Sequence, residues 1–414
     1  KNKTDNDNDN DNDSSENDGI VFANPIGLAA GYDKDGTAIA PLLAMGFGFV
    51  EIGSVCLQAQ PGNPSPRMFR LVEEQAVINR YGFNSTGADA VEEHLNAYRN
   101  GNGNGNGNIN SNGNGNNSDS SDSNNSDYSD GTGGSFWDFL PRTAFGGASP
   151  PGVVGINLGK NKTSTTPLED YQQLIRKLGP YADYLVVNVS CPNLSGLRDL
   201  QSADSLEVLL KGCQQARDEL ATTSNNNKNH HHHQHYQPQQ RQRQRRRRPP
   251  PLLVKLSPDL TDDELIGISK VLLKLGIDGI ILTNTTTSRP DESSPSSSPS
   301  SSSSSSPYRT EHGGLSGKPL RDRSTECIRL LYEATHAQIP IIGVGGVFDG
   351  NDAYEKLCAG ASLVQVYTGM VYRGPGMVSS IRDEVAELMI RHGQKDLQAE
   401  VVGSDHRRNH SLTD

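Results

Sequence analysis

Residues 252–285 read "LLVKLSPDLTDDELIGISKVLLKLGIDGIILTNT", and this stretch carries the unit from which the fold is built. "LLVKLSP" (252–258) is a short apolar run of the kind that forms a strand buried on both faces of a parallel sheet. "TDDELIGISKVLLKLG" then reads as a helix opened by a threonine cap and closed at glycine. "GIILTNT" (279–285) is a second buried strand. Together they make one β-then-α unit followed by the start of another.

Working outward, the same pattern recurs. Strand-like runs appear at "IGLAA" (26–30), "GFVEIGSV" (48–55), "VVGINLG" (153–159) and "YLVVNVS" (184–190), and again at "PIIGVGGV" (340–347) and "LVQVYTG" (363–369). Helix-like segments separate most of them: "TAIAPLLAMG", "PLEDYQQLIRKLG", "SLEVLLKGCQQARDEL", "STECIRLLYEATH" and "NDAYEKLCAG". Several open with Thr, Ser or Asn as N-caps and close at Gly. Eight such units in about 300 residues is the count of a (β/α)8 TIM barrel, an α/β fold. A doubly wound open sheet is the alternative. It rarely needs eight parallel strands, and no G-x-G-x-x-G follows the first strand.

The 414 residues could hold one large domain or two, and an apolar fraction of 33% is an average over a mixture. Residues 1–18 are an Asp/Asn tract, about forty residues from Asn100 are Gly/Asn/Ser repeats, 222–251 run through Asn, His, Gln, Arg and Pro, and 288–307 are mostly Ser and Pro. Such tracts bury too little apolar surface to offset ordering entropy, so the expectation is disorder. The expected organisation is one barrel over 19–403, interrupted at about 100–134, 222–251 and 288–307, with a tail at 404–414.

The net charge of −11 owes much to the N-terminal tract. The "RQRQRRRR" run at 241–248 has no aromatic stacking residues beside it, so a solvated loop is expected and a nucleic-acid partner is not. Five cysteines, scattered and without C-x-x-C spacing, argue against a disulfide framework, a metal site or an iron–sulfur cluster. No apolar run approaches the ~20 residues a membrane span needs. The chain begins with Lys and shows no signal peptide, which is the expectation for a fragment or processed form.

A barrel places its chemistry where strands end. Lys34 follows the first strand, Ser54 ends the second, Asn157 lies in the last turn of the third and Asn188 ends the fourth. Lys255 lies within the fifth, and Thr283 and Asn284 end the sixth. Gly345 and Gly346 end the seventh, and Tyr367 and Thr368 the eighth. Loops after the last two strands commonly bind phosphate. Here "GVGGV", "YTG" and "GGLSGKPL", with Ser316 and Gly317, offer donors without side-chain obstruction. An ammonium inside an apolar strand is costly, so Lys255 should face an anion, either a phosphate or the charge near N1 of a reduced flavin. Asn79, Asn157, Asn188, Asn193 and Asn284 suit a flat heterocycle or a small carboxylate, with Lys34 as the cationic end. "NVSCPN" (188–193) then reads either as a polar turn that holds a cysteine or as a reaction site centred on Cys191.

"NPIGLAAGYDKDG", "MGFGFVEIGSV", "NPSPRMFRL", "AVINRYGFNS", "INLGKNKTS", "ADYLVVNVSCPNLSGLR", "VKLSPDLT", "IDGIILTNTT", "GGLSGKPLR", "IPIIGVGGV", "AGASLVQVYTG" and "GSDHRR" stand in the order found in dihydroorotate dehydrogenases. The chain resembles that family over nearly all of its length outside the tracts. "NRYGFNS", "FRL" and "DHRR" are most similar to class 2, the quinone-dependent, mitochondrial-type branch.

The resemblance implies FMN-dependent oxidation of dihydroorotate to orotate in pyrimidine synthesis. A ubiquinone-type molecule is the implied acceptor, and the mitochondrial inner membrane the implied location. By the resemblance, the flavin ring and ribityl chain meet Ala30, Gly31, Lys34, Ser54, Asn157, Asn188, Lys255 and Thr283. Its phosphate meets Ser316, Gly317, Gly345, Gly346, Tyr367 and Thr368. Substrate meets Lys34, Asn79, Tyr81, Gly82, Phe83, Asn188, Asn193, Asn284 and Thr285, while Arg70 and Tyr367 match quinone-side residues.

Two departures stand out. The base falls on Cys191, where class 2 enzymes resemble "NVSSPN" with serine and cysteine is the class 1 choice. The N-terminal pair of apolar helices that makes the membrane contact in class 2 is not among the residues before "GIVFANPIG", so poor reduction of long-tailed quinones is expected. The alternatives are a class 1-like enzyme using fumarate or NAD, and a decayed barrel acting as a binding protein through its basic insertion.

Overall fold

The computed structural model describes residues 19–100, 152–193, 197, 199–226, 248–289 and 306–411. The expected N-terminal tract, most of the three expected insertions, the basic run up to 247 and residues 412–414 lie outside these residues.

Eleven strands are present among the described residues. They are β1 (Ile26–Leu28), β2 (Phe49–Val55), β3 (Met68–Leu71), β4 (Ala76–Asn79), β5 (Val153–Leu158) and β6 (Tyr184–Asn188), then β7 (Leu252–Leu256), β8 (Gly279–Leu282), β9 (Gly314–Gly317), β10 (Ile341–Val344) and β11 (Leu363–Val366). The helices are α1 (Ile39–Ala44), α2 (Ala88–Arg99), α3 (Pro167–Leu178), α4 (Ala203–Asn226) and α5 (Asp262–Leu275), then α6 (Arg321–Ala334), α7 (Gly350–Cys358), α8 (Thr368–Arg373), α9 (Met377–Arg391) and α10 (Ser404–Ser411).

Eight strands close into a barrel in the order β1–β11–β10–β8–β7–β6–β5–β2, every pair parallel. These are the eight runs read from the sequence. The outer core lies between strands and helices, where side chains such as Ile52, Val154, Leu185, Val254 and Ile280 are fully buried. Alternate residues point inward. Phe49, Val153, Tyr184, Leu253 and Ile342 fill the interior. Two glycines make room for its large rings: a Cβ on Gly27 would fall 2.3 Å from the Phe49 ring, and one on Gly155 would fall 2.0 Å from Tyr184. Two residues further along each strand the inward positions hold Glu51, Lys255 and Gln365, and beyond them come the strand ends.

A second, three-stranded antiparallel sheet, β3–β4–β9, stands beside the barrel mouth. The segment "GGLSGKPL" was expected as a glycine loop; its centre is strand β9, with Ser316 paired to Val77. Helix caps follow the expectation at α5, where Thr261 and Glu264 form a reciprocal capping box and Gly276 takes φ 61°. Elsewhere they differ: Thr166 makes no side-chain cap bond at α3, α6 begins at Arg321, and Asp349 caps α7. Residues 404–411, expected as a tail, form α10, held to α6 by Asp405–Arg329 (3.2 Å) and His406–Glu333 (3.2 Å).

Candidate active site

The C-terminal ends of the strands and the small sheet enclose a cleft with about 1070 Å3 of empty space, its open mouth included. Its wall brings together nearly every residue singled out from the sequence. Ala30, Gly31, Lys34, Ser54, Asn188, Lys255 and Thr283 lie on it. So do Ser316, Gly317, Gly345, Gly346, Tyr367 and Thr368, and so do Asn79, Tyr81, Gly82, Phe83, Cys191, Asn193, Asn284 and Thr285. Two do not. Asn157 is fully buried behind Ser54 and Asn188, and Arg70 is exposed on β3.

The amides form a connected chain rather than separate contacts. Asn157 donates to Glu51 Oε1 (2.8 Å), and Asn188 Nδ2 donates to Ser54 Oγ (3.0 Å) and Asn157 Oδ1 (3.0 Å). Asn284 Nδ2 reaches Ser190 Oγ (3.0 Å), which itself donates to Asn188 Oδ1 (3.1 Å). Asn193 donates to the Asn79 carbonyl (3.2 Å), tying the Cys191 turn to β4. Such satisfied networks fix side-chain orientation before any ligand arrives.

Glu51 is a buried charge beneath the cleft that the sequence reading missed. It has no exposure, and it accepts from Asn157, from Gln365 Nε2 (2.7 Å) and from Tyr184 Oη (3.3 Å). Lys255 Nζ lies 3.9 Å from its Oε1. The anion that Lys255 was expected to face is therefore present in the protein itself. Burial lowers the Lys255 pKa and Glu51 partly offsets this. The signal was available: Glu51 is a lone charge in an apolar strand, just as Lys255 is, and opposite charges in two buried strands suggest a pair.

At the outer end of the cleft Lys34 stands 4.8 Å above the Tyr81 ring, and the Arg67 guanidinium lies 5.0 Å from the same ring. Arg67, also missed, is anchored by the Pro61 and Asn63 carbonyls (2.7 and 2.9 Å). Cys191 is half-buried in the wall between this cleft and a smaller one lined by Ser190, Gln201, Ser257 and Asp259. Burial pushes its thiol up to about 11; the Asn193 backbone and the Lys34 charge pull the other way. Across the cleft, Thr368 Oγ1 donates to Ser316 Oγ (2.8 Å), joining the start of α8 to β9 beside the Gly345–Gly346 turn.

A polar turn would not gather a thiol, two lysines and a chain of amides on one barrel mouth. The fold is that of a TIM-barrel enzyme, and this cleft lies at the strand ends, where such barrels place their chemistry. The dihydroorotate dehydrogenase family profile matches residues 14–389, and the chain belongs to that family. It is 44% identical to the mitochondrial dihydroorotate dehydrogenase (quinone) of Arabidopsis thaliana, over 94% of this chain and 72% of that one. The Mus musculus enzyme of the same name is also 44% identical, over 94% and 79%. The dihydroorotate dehydrogenase (quinone) of Rhodospirillum rubrum is 40% identical, over 93% and 82%. A solved structure of DHODH from Eimeria tenella in complex with ferulenol superposes with a TM-score of 0.72 at 35% identity, over 94% of this chain and 87% of that one. Enzymes of this family are flavoproteins.

Proposed function

We propose that the chain oxidises dihydroorotate to orotate on bound FMN and passes the electrons to a quinone, with residues 19–403 acting as one FMN-binding barrel. The observation that carries this reading is the cleft wall itself. It holds Cys191 beside Lys34 and, deeper, the buried Lys255, and it presents two buried polar atoms, Thr283 Oγ1 and Gln365 Oε1, without a hydrogen-bond partner. Groups of that kind await a polar heterocycle, and an FMN ring fits them.

Ala30, Gly31, Lys34, Ser54, Asn188, Lys255 and Thr283 would hold the ring and ribityl chain, with Asn157 acting from behind Ser54 and Asn188. Ser316, Gly317, Gly345, Gly346, Tyr367 and Thr368 would hold the phosphate. When bound, FMN supplies a hydride acceptor and returns the two electrons to the quinone. Lys34 would take the substrate carboxylate, and Asn79, Asn193, Asn284 and Thr285, with the Tyr81–Gly82–Phe83 turn, would orient its ring amides. Cys191, as thiolate, removes the proton from substrate C5. Arg70 and Tyr367 belong to the acceptor side in this reading. A mitochondrial address is supported by the names of the plant and mouse relatives; the bacterial relative shares the quinone-type name without it.

The purified protein should be yellow, with a flavin spectrum bleached anaerobically by dihydroorotate and restored by a short-tailed quinone. Fumarate and NAD, assayed in parallel, should restore it far more slowly. A colourless protein that does not take up FMN, or reoxidation by fumarate or NAD ahead of quinone, would overturn the reading.

A further inference from the structure

We infer that Lys356 is a positioning residue for the flavin phosphate: a buried ammonium behind the Gly345–Gly346 turn that supplies charge to the anion held there. The inference rests on the FMN reading above.

Lys356 lies on α7 and has no exposure. Its Nζ donates to Ser324 Oγ (2.9 Å), Thr325 Oγ1 (2.9 Å) and the Arg321 carbonyl (3.3 Å). All three acceptors are neutral and all belong to the first five residues of α6. Among the described residues no carboxylate lies within ion-pair distance of Nζ. Asp352, one turn earlier on α7, is engaged by Arg321 (3.2 Å) and by the Phe348 N–H (2.9 Å).

The link to the cradle is direct. Ser324 Oγ donates to the Val344 carbonyl (2.6 Å), at the end of β10. A Cβ on Gly345 would lie 3.0 Å from that same Oγ, and one on Gly346 would lie 2.7 Å from the Arg321 nitrogen. The Lys356 stem rests under the strand, with Cδ 3.4 Å from the Cβ site of Gly343. The glycine turn therefore sits on the start of α6, and the ammonium sits on the same turn of helix from the other side.

A cation at a helix N-terminus is opposed by the helix dipole, and one without water is opposed by its own desolvation. Burial accordingly brings the Lys356 pKa down to about 7. A neutral amide, with two N–H donors, could join two of these oxygens to α7 without either cost. A phosphate on the glycine turn offsets both, because it adds counter-charge within the same packed unit to that of the Glu355, Asp352 and Asp322 carboxylates, none of which pairs directly with the ammonium.

The test is flavin release from holoenzyme, followed by the rise in free-flavin fluorescence on dilution, in wild type, Lys356→Met and Lys356→Gln. A parallel sample has its FMN exchanged for riboflavin, which lacks the phosphate. Both variants should release FMN at least about tenfold faster than wild type, while riboflavin release stays within about twofold. The glutamine variant keeps hydrogen-bonding capacity and serves if the methionine variant does not accumulate. Equal acceleration of both flavins makes Lys356 a staple between helices and overturns the inference alone, as does unchanged release of FMN. A wild-type protein that takes up neither flavin overturns this inference together with the reading beneath it.

Discussion

A thiol makes a stronger base as its pKa climbs, but less of it is ready to act. Cys191 shows both sides of that exchange. From its reference value alone the thiol looked poised close to neutral pH, whereas burial in the cleft wall carries it up to about 11. The working form is the thiolate, so the sign is fixed: kcat/KM for dihydroorotate should rise with pH through the neutral range and level off only towards about 11. Cys191→Ala should lose about a hundredfold or more in flavin reduction by dihydroorotate while keeping its flavin spectrum. Cys191→Ser should retain some rate, with its pH limb moved further up. Stopped-flow bleaching across pH measures all three, and an unchanged alanine variant would show that the proton leaves by another route. The position of Cys191 was legible because it follows a buried strand in a barrel. Its altered acidity was not, because that depends on what the fold packs around it. Glu51 escaped for a related reason: its partners Asn157, Tyr184, Lys255 and Gln365 come from four other strands, far apart in sequence.

At the level of elements, the barrel strands could be read because each is apolar on both faces and bounded by polar or glycine residues. The β3–β4–β9 sheet could not. Its strands have four residues each, and β9 lies far along the chain from the pair it joins, so no local period marks it. Helix starts were only partly legible. Thr261 and Thr166 look alike in sequence, yet only the Thr261 side chain accepts a capping bond, from the Glu264 N–H at 3.3 Å, and the Thr261 backbone N–H donates in return to the Glu264 carboxylate at 2.8 Å. Thr261→Ala should therefore cost about 1 kcal/mol of unfolding free energy. Thr166→Ala, which removes no capping bond, should stay within about 0.5 kcal/mol of wild type. Urea denaturation of the two variants side by side separates them, and equal losses would mean that the reciprocal bonding at α5 adds nothing.

For the whole molecule, the issue is how a barrel tolerates three long interruptions. Two of them fall between a helix and the next strand, α2 and β5 or α4 and β7, and the described residues at their ends stand at the barrel face opposite the cleft. Each junction is closed by the same device. Asp183 accepts from the Val154 N–H (2.8 Å) and from Arg99 on α2 (2.7 Å). Asp278 accepts from the Leu252 N–H (2.8 Å) and from Arg217 on α4. An aspartate ahead of one strand thus holds the start of its neighbour and the helix that leads to it, whatever chain lies between. The third falls between β8 and β9, whose described flanks stand on the cleft face instead, where Arg289 bonds to the Arg309, Glu311 and Gly313 carbonyls (3.2, 2.7 and 2.9 Å). Replacing residues 103–149 or 228–246 by a short Gly/Ser linker should leave kcat/KM within about twofold, because loop length alone adds little to closure entropy and neither junction borders the site. Replacing 291–304 should be tolerated in stability but should alter KM for substrate or acceptor more than either of the others. Steady-state kinetics on the three shortened chains, each checked for retained flavin, decides the matter. A folded, yellow protein that has lost turnover after either of the first two excisions would mean that the far face of the barrel takes part in the reaction.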